Sequence, residues 1–158
     1  MRLTHITQNV IHNRHRYLAP SLRTFEAFKT PLVLERGEMQ YVYDDKGKKY
    51  IDLLGQNLCI SVGHCNPKVV DKAIEQMKKL AHCTTMYYNE KPALLAKKLT
   101  ETLPPHPSGE EWVVHLVNDG SEAVDLAIQM AKEYTNNHKF YALYKAYHGL
   151  QGYAAGVT

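Results

Sequence analysis

Between Glu111 and Tyr144 the chain passes through an apolar segment, EWVVHLV, a polar break at Asn118-Asp119-Gly120-Ser121, a stretch of helical spacing, SEAVDLAIQMAKEYT, and a second apolar segment, KFYALY. No other feature of the sequence constrains the fold as much. Strands apolar on both faces must be covered on both faces, and a strand-helix-strand order places them in a parallel sheet flanked by helices. The expected class is α/β.

The preceding residues read differently. From Met39, MQYVYDDKGKKYIDLL alternates, turns at Asp44-Asp45-Lys46-Gly47 and alternates again, which predicts a β-hairpin with Gly47 in the left-handed position. Residues 55 to 67, GQNLCISVGHCNP, read as a linking loop in which Gly63 permits a sharp turn. Asn66-Pro67 then starts a helix, with asparagine as cap and proline at the first helical position, running to about His82. Its Val69, Val70, Ala73, Ile74, Met77 and Leu80 share one stripe. A further helix from about Glu90, carrying Leu94, Leu95 and Leu99, must stop before the proline-rich run at residues 104 to 109. That run is taken as a junction between residues 1–103 and 104–158.

Composition narrows the classes of function. With 44% hydrophobic and 22% charged residues the chain has the balance of a globular protein, and a net charge of +3 spread among acids gives no footprint for nucleic acid. No apolar run approaches the roughly 20 residues of a membrane-spanning helix. Cys59, Cys65 and Cys83 form no CxxC pair, and the histidines have no zinc-ligand spacing, so neither a disulfide framework nor a metal site is expected. A reducing compartment, cytoplasm or organelle matrix, fits this cysteine usage. The first 25 residues carry basic side chains and no acid, which suits a basic N-terminal helix better than a targeting peptide.

Chemistry is concentrated at the polar break. In parallel sheets, ligands bind where a strand ends and the next helix directs its unpaired N–H groups and positive dipole end outward. Gly120 lets an anion approach the backbone, and Ser121 offers both an N–H and a hydroxyl, which suits a phosphate. The same turn also suits a plain helix start in which Ser121 caps and binds nothing. It is neither a Walker loop nor a GxGxxG fingerprint. After the next apolar segment, KAYHG places Tyr147 and His148 where a strand end would bring them to the same edge, so that Tyr147 could stack on a planar ligand. A surface loop holding the same residues is the alternative.

VNDGSEAVDLAIQMAKEYT, KAYHG and SVGHCNPKVV together resemble the class III family of pyridoxal-phosphate-dependent aminotransferases. RGEMQYVYDDKGKKYIDLL, SVGHCNPKV and HLVNDGSEAVDLA resemble its alanine-glyoxylate aminotransferase 2-like branch, and the likeness runs from about residue 28 to the end. The resemblance implies the N-terminal part of a fold-type I transferase: a small-domain hairpin and helices, then the start of the parallel-sheet cofactor domain. It implies that Gly120 and Ser121 hold the phosphate of pyridoxal 5'-phosphate, with Tyr147 over its ring and His148 beside it. Gln56 and Asn57, just before Gly63-His64, become candidates for substrate contact, although they equally suit bonds to backbone. Asp119 stands where the family usually carries serine or threonine, and a carboxylate there would repel a phosphate unless paired or turned away.

The resemblance also implies a homodimer, amino-acid and 2-oxo-acid substrates such as alanine with glyoxylate or pyruvate, and a cytoplasmic or mitochondrial-matrix location. The family's Schiff-base lysine and its carboxylate for the pyridinium nitrogen come later than Thr158, so no catalytic residue is expected in this chain. Lys145 is a poor substitute. Two other readings remain at this point: a non-catalytic fragment that binds the cofactor weakly or docks with a full-length subunit, and a phospho-lyase acting on an amino-alcohol phosphate.

Overall fold

The computed structural model describes residues 3–25 and 28–158. The chain divides into two compact units, Met1–His82 and Cys83–Thr158.

In the first unit, helix α1 (His5–Tyr17) is capped by Thr4, whose hydroxyl accepts the Thr7 N–H at 3.0 Å. Arg14, His15 and Arg16 in its last turn complement the negative end of the dipole. The hydroxyls of Thr4 and of the buried Thr7 both donate to Asp45 Oδ2, the latter at 2.5 Å, so the capped end of α1 is tied to the hairpin turn. These bonds hold the Asp45 carboxyl below its ordinary range, Thr4 contributing most.

Strands β1 (Leu34–Glu38), β2 (Tyr41–Asp44) and β3 (Lys49–Ile51) form an antiparallel sheet in that order. The hairpin β2–β3 turns where the sequence predicts, with Gly47 at φ 75°. Asp44 fixes the turn: Oδ1 accepts from Lys46 N and Lys48 N, each at 2.9 Å, and Oδ2 from the Tyr50 hydroxyl at 2.8 Å. Val42, the buried apolar residue of this sheet, faces inward beside it. On the sheet the Arg36 guanidinium lies 3.6 Å from the centre of its cross-strand partner Tyr43, and Lys49 Nζ 3.5 Å from that of Tyr41. Strand β1, LERGE, lies outside the alternating pattern because its side chains are mostly exposed and charged, leaving no periodic apolar signal.

Residues Gly55–Leu58 form a single helical turn, α2, of inverted hand: φ is 60° at Gly55, 49° at Gln56, 61° at Asn57 and 66° at Leu58. For Gln56 and Leu58 this costs roughly 1 to 2 kcal/mol each, and less for Asn57, whose short amide tolerates the region. Helix α3 (Pro67–Lys79) starts as expected, with Asn66 accepting the Lys68 N–H at 3.1 Å, and stops at Lys79. Its apolar stripe is uncovered among the described residues: Val69, Val70, Ile74, Met77 and Leu80 are all exposed.

In the second unit, helix α4 (Glu90–Thr100) is capped by Asn89, and α5 (Gly120–Thr135) by Asp119 at its start and left-handed Asn136 at its end. A short helix α6 (Gly152–Gly156) packs on α5. The two apolar segments expected as strands, 111–117 and 139–144, are not strands. A strand exists only when its N–H and C=O groups find a partner, and among the described residues neither segment makes a ladder with the other or with anything else. Their apolar side chains are accordingly in solvent, with Val113 81% and Leu143 82% exposed. Trp112 instead folds back on the proline run, donating Nε1–H to the Pro104 carbonyl at 2.7 Å and meeting His106 edge-on.

Candidate functional site

The start of α5 is built by two acids. Asp119 Oδ1 accepts the Glu122 N–H at 2.8 Å, and Glu122 Oε2 accepts the Asn118 N–H at 2.7 Å and the Asn118 side-chain amide at 3.1 Å. This is a variant of the capping box, with the returning bond one residue further back. Asp119, not Ser121, is therefore the cap, and its carboxylate is paired with the helix backbone. The N–H groups of Gly120 and Ser121 have no acceptor among the described residues. A Cβ on Gly120 would meet nothing within 4 Å, so the approach to them is open.

Ser121 is half-buried, and its Oγ accepts the Leu150 N–H at 3.3 Å. Gly149, at φ 138°, packs so closely that a Cβ there would lie 2.7 Å from Ser121 Cβ and Oγ. The segment after KAYHG is thus seated on the mouth of α5, which brings together the two motifs singled out in the sequence. Three further ties hold it. Thr158 Oγ1 accepts from His148 N at 3.0 Å and Gly149 N at 3.2 Å, and its hydroxyl lies within bonding distance of the Gly149 and Ala154 carbonyls. Asp125 Oδ1 accepts from Tyr153 N at 2.5 Å and Ala154 N at 3.3 Å, capping α6 from the side of α5. Gly152, at φ 42°, leaves the room that Asp125 occupies, since a Cβ there would lie 2.5 Å from Oδ1. Lys132 Nζ lies 3.9 Å from the Tyr153 ring centre.

Tyr147 projects from this loop 68% exposed. His148 is half-buried, and its Nε2 is buried without a hydrogen-bond partner, the one such side-chain atom among the described residues. A buried polar atom left unpaired is costly, and such an atom marks a place where a ligand or water completes the bonding. Lys145, at φ 62°, holds Nζ 5.4 Å from the ring centre of its neighbour Tyr144.

Gln56 and Asn57 belong to the other unit, on α2. Both are exposed, and the Gln56 amide donates to Asp52 Oδ2 at 3.2 Å. Asp52 organises this corner: Oδ1 accepts from Leu54 N at 3.1 Å and Gly55 N at 2.9 Å, and Oδ2 lies 2.7 Å from His64 Nε2. The His64 imidazole is the chief cause holding the Asp52 carboxyl below its ordinary range, against the opposing effect of burial. His64 is bound through its backbone to Met39, with N–H···O distances of 2.7 and 2.8 Å in the two directions. Gly37 leaves space for its ring, since a Cβ there would lie 2.8 Å from it. The pair borders a cavity of about 300 Å³ lined in part by Met39, Gly55, Ile60 and Gly63.

Of these residues the sequence reading missed Asp52, His64, Asp125, Gly149 and Thr158. Gly149 stood within the KAYHG motif already singled out, and that motif was the available signal. Asp125 and Thr158 sit in stretches whose only visible pattern is helical or terminal. Among the described residues no group of three or more His, Cys, Asp and Glu side chains gathers as a metal site, and no helix is long and apolar enough to cross a membrane.

The architecture has close counterparts among solved structures. An omega transaminase from Pseudomonas jessenii, in complex with PMP, superposes with a TM-score of 0.74 at 29% identity, over 94% of this chain and 33% of that one. Residues 24–158 match the family described as Aminotransferase class-III. The mitochondrial alanine–glyoxylate aminotransferase 2 homolog 2 of Arabidopsis thaliana is 36% identical over 149 residues, 94% of this chain and 30% of that protein. The human mitochondrial alanine–glyoxylate aminotransferase 2 is also 36% identical, with 94% and 27% covered. The chain belongs to the class III aminotransferases, a family of pyridoxal-phosphate-dependent transaminases. It spans less than a third of the length of these two curated relatives.

Proposed function

We propose that the chain supplies the phosphate-holding and ring-facing side of a transaminase that moves the amino group of an amino acid such as alanine to a 2-oxo acid such as glyoxylate or pyruvate. When bound, pyridoxal 5'-phosphate supplies the electron sink for that exchange. The supporting observation is the pair of unpartnered N–H groups of Gly120 and Ser121 at the head of a 16-residue helix, with the Tyr147-His148 loop seated on Ser121. The two N–H groups and the Ser121 hydroxyl bind the phosphate. Tyr147 covers the ring, and His148 Nε2 gains the partner it lacks. Gln56 and Asn57 contact the substrate.

Residues 1–103 then correspond to the small-domain segment and 104–158 to the beginning of the cofactor domain. The working assembly is a homodimer in the cytoplasm or the mitochondrial matrix, a reading supported by the word mitochondrial in the names of both relatives. No residue of this chain is assigned the bond-making role, and Lys145 does not take it.

Pyridoxamine 5'-phosphate is the probe of choice, because its amine does not condense with lysine. Titration of the chain and of Tyr147→Ala should show affinity weakened by about 1 kcal/mol in the variant if the ring stacks. Equal affinities would remove Tyr147 from the site.

A further inference from the structure

We infer that Asp52 and His64 are positioning residues that hold Gly55–Leu58 in its left-handed turn and thereby orient the Gln56 amide, nitrogen inward and oxygen outward. The inference rests on the substrate-facing role proposed above for Gln56, which it deepens. Four consecutive residues at positive φ do not persist by their own preference, since L-residues favour the opposite hand. Something outside the turn must over-determine it. Three backbone bonds act within the turn among the described residues: Leu58 N to Leu54 O at 3.4 Å, Ile60 N to Gly55 O at 3.2 Å, and the Cys59 N–H to the Gly55 carbonyl.

The external hold converges on one carboxylate. The Asp52 side chain is 6% exposed and takes four donors: the N–H groups of Leu54 and Gly55 at the entrance of the turn, the Gln56 amide, and His64 Nε2. The His64 side chain is 15% exposed and cannot shift freely, because its backbone is paired with Met39 and its ring lies in the space left by Gly37. The Met39 bridge and the close approach of Gly37 therefore fix His64, His64 fixes Asp52, and Asp52 fixes the turn. A carboxylate accepts and does not donate, so it turns the NH2 end of Gln56 toward itself. The Gln56 Oε1 then faces outward as an acceptor. In a substrate site such an oxygen suits an ammonium or hydroxyl donor and disfavours a carboxylate.

The test is NMR of the full chain without any ligand. The 13Cα and 13Cβ shifts of Gln56, Asn57 and Leu58 report the hand of the turn, and the Gln56 side-chain NH2 resonances report its bond to Asp52. Left-handed shifts are expected in the wild type and lost in Asp52→Ala and His64→Leu, with amide exchange at Leu58 and Ile60 faster by about tenfold or more. The β2–β3 hairpin resonances are the internal control for folding. His64→Gln, which keeps a donor at similar reach, should restore both signatures. If Asp52→Ala loses the hairpin signals, the His64→Leu and His64→Gln pair decides. Left-handed shifts that persist in His64→Leu, or Gln56 NH2 resonances indifferent to these changes, would overturn the inference. Because no ligand is present, failure of the substrate reading leaves this result unaffected: a held turn whose Gln56 resonances ignore added alanine and pyruvate would sink that reading alone.

Discussion

Replacing Asp119 by serine separates the helix cap that this residue forms from the near-neighbour charge it would present to a phosphate at the proposed site. As a cap, serine is close to aspartate in rank, so Asp119→Ser should cost the helix only a few tenths of a kcal/mol plus part of the dipole benefit of a charged cap. As a charge, Asp119 sits at the same helix mouth as the Gly120 and Ser121 N–H groups, with its Oδ1 on Glu122 N. Helix dimensions put that carboxylate roughly 6 Å from a phosphate on those N–H groups. At that distance in water each pair of unit charges repels by about 0.7 kcal/mol, hence about 1.4 kcal/mol for a dianion. Physiological salt, with a screening length of about 8 Å, halves this. Asp119→Ser should therefore tighten pyridoxamine 5'-phosphate binding about threefold at 0.15 M salt and nearer tenfold in dilute buffer. The assay is a titration followed by the ligand's absorbance or fluorescence at both ionic strengths, with thermal melting as the control for the cap. Unchanged or weaker binding, or a gain of equal size at both salt concentrations, would refute the electrostatic reasoning.

Other consequences follow from the same geometry. Leu58 is 87% exposed on the left-handed turn, so Leu58→Gly loses little packing, relieves about 1 to 2 kcal/mol of backbone cost and forfeits about 0.5 to 1 in chain entropy; urea denaturation should show a net gain of roughly 0.5 to 1 kcal/mol. Gly47→Ala is the opposite change at φ 75° with nothing nearby to clash, and should lose a similar amount by the same measurement. Asp44, Asp45 and Asp52 all have lowered folded-state values, so their contribution is complete above the ordinary 3.8 and is lost as pH falls below it toward the folded values. Acid unfolding followed by circular dichroism should accordingly begin below about pH 4 in the first unit, and Asp45→Asn should flatten the low-pH limb. Thr158→Val removes the hydroxyl that receives His148 N and Gly149 N, and should speed amide exchange at both by several-fold while leaving α5 protected.

Local signals in the sequence found the elements that local physics determines. The Asn66-Pro67 helix start, the helix from about Glu90, the Gly47 turn and the extent of α5 follow from caps, proline and glycine, each acting over a few residues. The apolar runs at 111–117 and 139–144 carry the composition of buried strands, but strand formation is a pairing event, and no partner lies among the described residues. The inverted hand of α2 was illegible for a similar reason. Nothing in Gly-Gln-Asn-Leu announces four positive φ values; the hold comes from Asp52 and His64, twelve residues apart in sequence and joined by their own side-chain contact, with His64 seated by its bridge to Met39. At the mouth of α5 the sequence left open a plain helix start capped by Ser121, and the structure gives the cap to Asp119 instead. That exchange leaves the Ser121 N–H without an acceptor and gives its Oγ the Leu150 N–H.

The central claim is that the mouth of α5 holds the cofactor's phosphate, and the most direct measurement is a pyridoxamine 5'-phosphate titration of the full chain beside Gly120→Val. A Cβ at residue 120 meets no protein atom within 4 Å, so this variant should fold as the parent does and obstruct only an approaching ligand. Saturable binding to the parent, displaced by inorganic phosphate and weakened at least tenfold in Gly120→Val with an unchanged melting temperature, is the predicted result. Equal affinity in the two proteins would show that the phosphate is held elsewhere.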